Sequence, residues 1–129
     1  RVESLYVNSN SLSSIKKKQK NKKIKFDIII EDASHMLKDQ IISLFYLFPI
    51  LNNGGHFIVE ELDFPETREN MRANHHAPDL KSILLSILKK KDFNSPYIDG
   101  KTKKYFLENL ETIKIFKGNM NEIAIIKKK

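Results

Sequence analysis

The sequence predicts an α/β fold with a mostly parallel sheet and a closing antiparallel hairpin. Three observations carry this. Phe26 to Ile30 is a short apolar run rich in β-branched residues and bounded by charge, as a strand buried on both faces reads. A strand–helix–Gly-Gly–strand unit follows it, which is a βαβ crossover. The chain ends in two alternating segments separated by four turn-forming residues, which reads as a hairpin.

In chain order, Val2 to Val7 alternates enough for a strand. Asn8-Ser9-Asn10-Ser11 breaks it with residues suited to helix capping. Leu12 to Lys20 reads as a weak exposed helix, and Asn21 to Lys25 as a basic connector. After the strand Phe26–Ile30 comes Lys38 to Leu51, whose apolar residues recur at spacings of three and four, the pattern of an amphipathic helix. Pro49 predicts a distorted last turn. Asn53-Gly54-Gly55 supplies the glycine of a left-handed helix cap, and His56 to Glu60 is the next strand. Asp63 to Pro78 has two prolines and no periodicity, so it reads as a long loop. Leu80 to Lys90 is a second amphipathic helix, with Leu80, Ile83, Leu84, Ile87 and Leu88 on one face. Asp92 to Lys104 reads as loop. Thr112–Lys117 and Glu122–Lys127 form the hairpin around Gly118–Asn121.

At 129 residues the chain is long enough for one core. It has no cysteine, which excludes disulfides, thiolate metal sites and cysteine nucleophiles. No apolar run approaches the roughly 20 residues that cross a bilayer, and no signal peptide is visible. The expectation is a cytoplasmic protein without a membrane partner. The net charge is +7, but 20 lysines, 17 isoleucines and 11 asparagines indicate a compositional bias. The lysines fall in runs without interleaved aromatic residues for base stacking. Solvated faces therefore explain them better than nucleic acid does.

In open parallel sheets, ligands bind beyond the carboxyl ends of the strands. Glu31-Asp32-Ala33-Ser34-His35 follows the first buried strand, and Glu60-Glu61-Leu62-Asp63 follows the second. Asp32, Glu60 and Glu61 could converge there. Three adjacent carboxylates repel unless a cation neutralises them, and an oxygen-only set suits Mg²⁺. His35 could act as a general base. The alternative is that these are solvated loop acids, with Asp32 or Ser34 capping the helix near Lys38. His75-His76, near Glu66 and Asp79, reads as solvated loop rather than as a second metal site.

Phe26 to Leu62 resembles the second half of a class I S-adenosylmethionine-dependent methyltransferase, closest to the metal-dependent sugar O-methyltransferases of the macrolide-tailoring type. Glu31-Asp32-Ala33-Ser34-His35, Phe48-Pro49-Ile50-Leu51-Asn52-Asn53-Gly54-Gly55 and Val59-Glu60-Glu61 carry the resemblance, and the closing hairpin looks like the last two strands of that fold. Ala33 stands where the family has Gly, and Glu61 where it has Asp. The resemblance implies a Rossmann-like methyltransferase fold and O-methylation of a sugar or small polyol. It also implies S-adenosylmethionine as cofactor, Asp32, Glu60 and Glu61 as ligands of Mg²⁺ or another divalent cation, and His35 as base. Asp63 follows the acid pair and would line the acceptor pocket. Asn8 and Ser9 would lie near the adenine, a turn role being the alternative for Asn8. The family's glycine-rich loop has no counterpart here, and the first residue is Arg1. The expectation is thus a fragment: the C-terminal part of a methyltransferase domain over residues 1–129. The rival is a non-catalytic α/β remnant that binds a partner, or a further copy of itself as a homo-oligomer, through an exposed sheet edge.

Overall fold

The structure is a computed structural model and describes residues 24–129. The expected strand Val2–Val7, the helix Leu12–Lys20, Asn8 and Ser9 lie outside the described residues. Among the described residues four strands form one sheet: β1 (Phe26–Glu31), β2 (Leu51–Val59), β3 (Leu110–Lys117) and β4 (Glu122–Lys128), in the order β1-β2-β4-β3. The α-helices among the described residues are α1 (Leu37–Leu47), α2 (Phe64–Thr67), α3 (Leu80–Lys90) and α4 (Gly100–Asn109).

β1 and β2 run parallel across α1, which is the expected crossover. β4 then pairs antiparallel with both β2 and β3. Among the described residues the sheet is therefore mainly antiparallel, which corrects the expectation of a mostly parallel one. β4 turns back from β3 through the short link Gly118–Asn121, where the Gly118 N–H donates to the Asn121 carbonyl at 2.8 Å, and inserts between β3 and β2 against the direction of both. A connection that tight can join only antiparallel neighbours.

β1 departs from the reading as a strand buried on both faces. It is the end strand of the described sheet, and Ile28 and Ile30 are each 58% exposed. Ile29, on the opposite face, packs against the core. That core lies between the sheet and the helices. Phe57 and Val59 of β2 and Ala124 and Ile126 of β4 meet Leu37, Ile41, Leu44 and Phe45 of α1 there, together with Leu80, Ile83 and Leu84 of α3. Phe45 stacks on Phe93 at 4.8 Å and meets Phe106 of α4 edge-on at 4.6 Å. Each fully buried ring of this kind contributes roughly 1.5–3 kcal/mol.

Three local corrections have physical causes. α1 stops at Leu47 rather than Leu51, and Phe48–Ile50 continues as a 3-10 turn, the distortion expected of Pro49. Gly54 does take a left-handed conformation (φ 79°), but inside β2 rather than as a helix cap. The ladder jumps there from Phe26↔Leu51 to Ile28↔His56. Gly55 fits this bulge because a Cβ would lie 2.9 Å from the Asn52 carbonyl and 3.0 Å from that of Asp27. The segment 92–104, expected as loop, contains the start of α4. Asp99 caps it by accepting from the Thr102 N–H at 2.8 Å.

α3 has the expected bounds, with Asp79 accepting from the Ser82 N–H at 2.8 Å as its cap. Leu88, expected on its buried face, is exposed. The expected loop Asp63–Pro78 holds α2 and a 3-10 turn at Glu69–Arg72. No helix among the described residues is long and apolar enough to cross a membrane.

Candidate active site at the strand ends

β1 and β2 release the chain side by side. The Glu60 N–H donates to the Glu31 carbonyl at 3.0 Å, which ties the two exits together. Beyond them, two non-glycine residues adopt left-handed backbone conformations, His35 (φ 60°) and Glu61 (φ 53°). Such conformations are uncommon and persist where the surroundings impose them. The His35 ring stands edge-on to Phe64 of α2 at 5.0 Å. Its Nε2 lies 3.7 Å from Asp32 Oδ1, and Asp32 is 55% exposed while His35 is mostly enclosed.

The acids at the two exits act on one another. The Glu60 carboxyl is pushed above its ordinary range, first by lost solvation, then by the Asp32 charge and a side-chain hydrogen bond with Asp32, with Glu61 adding repulsion and His35 opposing it. Burial also pushes up Glu31, while its hydrogen bond from the Ala33 N–H at 3.0 Å pulls the other way. Ser34 is bound into the loop: its hydroxyl accepts from the Met36 N–H and donates to Asp39 in the first turn of α1. The expected helix-capping role thus falls to Ser34 in a modified form, while the cap position itself is Met36 with no side-chain bond.

Asp32, His35 and Glu60 are therefore brought together. Glu61 is adjacent but turned aside: Asn121 donates to its Oε1 at 3.3 Å, and Gln40 donates to its backbone carbonyl at 3.0 Å. Among the described residues no group of three or more His, Asp or Glu side chains is arranged to hold a metal ion. Asp63 precedes α2, and its Oδ1 accepts from the Glu122 N–H at 2.9 Å. It also borders a shallow cleft of about 120 Å³ formed with the turn Lys117–Glu122. His75 packs against Tyr97 at 5.5 Å, away from this cluster.

Three residues of this site, Glu31, Gln40 and Asn121, had no role in the sequence reading. Glu31 carried a signal, being an acid at the last position of an apolar strand. Gln40 is fully buried, and a polar residue on the core side of an amphipathic helix is a signal of the same kind. Phe64, in the segment Asp63–Pro65 directly after the acid pair, was expected to line the acceptor pocket and instead packs on His35; Asn121 reaches the site only through the tertiary fold and leaves no local trace.

The four-stranded α/β arrangement has clear counterparts among solved structures. The chain resembles the MycE methyltransferase from the mycinamycin biosynthetic pathway in complex with Mg and SAH, with a TM-score of 0.70 and 18% identity. The match covers 96% of this chain and 31% of that one. A second structure of MycE, in complex with Mg, SAH and mycinamycin VI, matches with a TM-score of 0.67 and 19% identity over the same shares. This is a methyltransferase fold. The chain spans under a third of the length of these structures. No protein-family model and no curated protein sequence matches it.

Proposed function

We propose that this chain carries the acceptor and metal side of an S-adenosylmethionine-dependent O-methyltransferase acting on a sugar or small polyol. Residues 1–129 would form the C-terminal part of that domain. The observation that carries this reading is the meeting of Asp32, Glu60 and His35 beyond two neighbouring parallel strands. The fold likeness to a methyltransferase crystallised with Mg and SAH supports it.

The donor chemistry fits a divalent cation. Asp32 and Glu60 offer hard carboxylate oxygens, and their mutual repulsion is what such an ion relieves. Mg²⁺ is commonly held by one or two carboxylates, with water or substrate oxygens completing its shell. Asp32 and Glu60 would form the holding pair, with Glu61 joining once released from Asn121. Asn8 and Ser9 would meet the cofactor, and Asp63 would line the acceptor cleft.

When bound, the cofactor supplies an electrophilic methyl group, and the cation acidifies a hydroxyl held beside it. His35 accepts the hydroxyl proton at Nε2, the ring nitrogen that faces Asp32. Phe64 holds the ring from the side and shields it from water. The rest of the rate enhancement is positioning of the acceptor oxygen in line with the methyl group.

Two measurements on the full-length protein test the reading. Calorimetric titration with Mg²⁺ should show binding that Asp32→Ala abolishes; unchanged binding removes the cation assignment. His35→Ala should lower methyl transfer to a sugar acceptor about 10²–10⁴-fold while the cofactor still binds. Full activity in that variant would overturn the base assignment.

A further inference from the structure

Arginine is rare in this chain. Lysine supplies 20 of its 23 basic side chains, and two of the three arginines, Arg68 and Arg72, lie in the segment that follows the acid pair. The two are used differently. Arg72 is committed to the fold: its guanidinium donates to the carbonyls of Pro65 and Ala77 at 3.2 and 3.1 Å and pairs with Asp79 at 3.4 Å. Arg68 is exposed, and its guanidinium carbon lies 3.9 Å from the centre of the Phe64 ring. Among the described residues no hydrogen bond or ion pair engages its five side-chain N–H donors.

Acids are close in sequence and still leave Arg68 unpaired. Asp63, Glu66 and Glu69 all lie within five residues of it. Asp63 accepts from the Glu122 N–H, and Glu66 is held by Lys81 at 2.7 Å. The backbone of Arg68 is fixed on both sides. Its N–H donates to the Phe64 carbonyl at 2.8 Å, and its carbonyl accepts from the Met71 N–H at 3.0 Å. A guanidinium stacked on a ring above a fixed backbone has little freedom left to lose when a ligand binds.

The same Phe64 ring meets His35 at 5.0 Å. Arg68 therefore stands one ring away from the histidine, on the rim of the strand-end site. A ring that needed only cover would be served by a lysine stem, and lysine is the common cation of this chain. Arginine adds a planar fork that fits two oxygens of a carboxylate or phosphate, and stacking leaves the in-plane N–H groups free for it.

We propose that Arg68 is a specificity-determining residue that holds an oxyanion of the acceptor, so that the sugar taken here carries a carboxylate or a phosphate group. The proposal rests on the reading of the strand-end site as the acceptor site of a methyltransferase, but the anion preference is read by binding alone.

The probes are methyl glucuronide, glucose 6-phosphate and the neutral methyl glucoside, titrated calorimetrically into the full-length protein with Mg²⁺ present. At least one anionic sugar should bind about 10- to 100-fold more tightly than the glucoside, the span of one charge-assisted contact. Which one binds distinguishes carboxylate from phosphate. Arg68→Ala should bring that sugar down to the level of the glucoside and leave glucoside binding unchanged. Arg68→Lys, which keeps the charge without the fork, should restore only part of the preference. Equal binding of charged and neutral sugars by the wild type, or no binding of either anionic sugar, would overturn the proposal. So would an equal loss for every probe in Arg68→Ala, since Arg68 would then only hold Phe64 in place. An anion preference that Arg68→Ala removes, together with full methyl transfer in His35→Ala, would keep the anion contact and refute the base reading. Methyl transfer that needs His35 but treats glucuronide and glucoside alike would do the reverse, so the two fail separately.

Discussion

Where β2 begins, Lys128 is only 3% exposed and yet fully provided for. Its ammonium donates to the Leu51 carbonyl at 2.9 Å and the Pro49 carbonyl at 3.3 Å, and it lies over the rings of Phe48 and Tyr105. Lys25 donates to the same Pro49 carbonyl, and Asn52 donates to Asp27. At the other end of the sheet Glu31 is equally enclosed, but one of its oxygens has no partner among the described residues, His35 and Glu61 hold left-handed backbones, and Asp32 crowds Glu60. Buried charge at one end closes the structure. At the other it is left unresolved, as sites that bind and react tend to be.

The largest effect of breaking this contrast should come from the closed end. Lys128→Met keeps most of the side-chain volume but leaves the Leu51 carbonyl buried without that donor. The expected loss is about 1–3 kcal/mol of unfolding free energy in urea, the cost of an orphaned buried acceptor. A loss within error would show that Lys128 is not what closes this end.

The two ends also differ in how far the sequence reveals them. The acid-rich exits of β1 and β2 were legible, because Phe26–Glu31 and the strand at His56 are short apolar segments that stop abruptly at carboxylates. The hairpin was legible from its turn. The lysine end was not, since Lys128 belongs to a terminal lysine run that reads as a solvated tail, and only the antiparallel insertion of β4 beside β2 buries it. α4 was missed because Gly100 and three lysines open it and only Phe106 is buried. The exposed face of β1 was misread because an apolar run alone does not say how many of its faces are covered.

A smaller effect should appear at Lys81 of α3, which bridges toward the acid end. Its ammonium lies 2.7 Å from Glu66 and 2.9 Å from Glu122, and these partners, Glu66 first, push its pKa up to about 12 from an ordinary 10.5. A base whose pKa is raised by folding stabilises the fold fully below its unfolded value and loses that contribution as pH rises through the folded one. The difference in thermal midpoint between wild type and Lys81→Met should therefore stay constant from neutral pH up to about pH 10.5 and shrink toward about pH 12. A difference that persists unchanged would show that packing of the stem, not the ion pairs, is what Lys81 contributes.

The smallest stability change is expected at the acid end itself, and it sharpens the contrast most. Folding raises the Glu60 carboxyl above its ordinary 4.5, chiefly by desolvation and then by Asp32. A carboxyl raised by folding favours the folded state below that ordinary value and disfavours it once ionised, so at neutral pH the Glu60 charge works against the fold. Glu60→Gln removes the charge and supplies an amide donor for Asp32. Its thermal midpoint at neutral pH should equal or slightly exceed that of the wild type, while Mg²⁺ binding weakens. A fall in midpoint as large as that of Lys128→Met would mean that the carboxylates at this end hold the fold together as the lysine does at the other. The crowding of Asp32 and Glu60 would then no longer support a cation site.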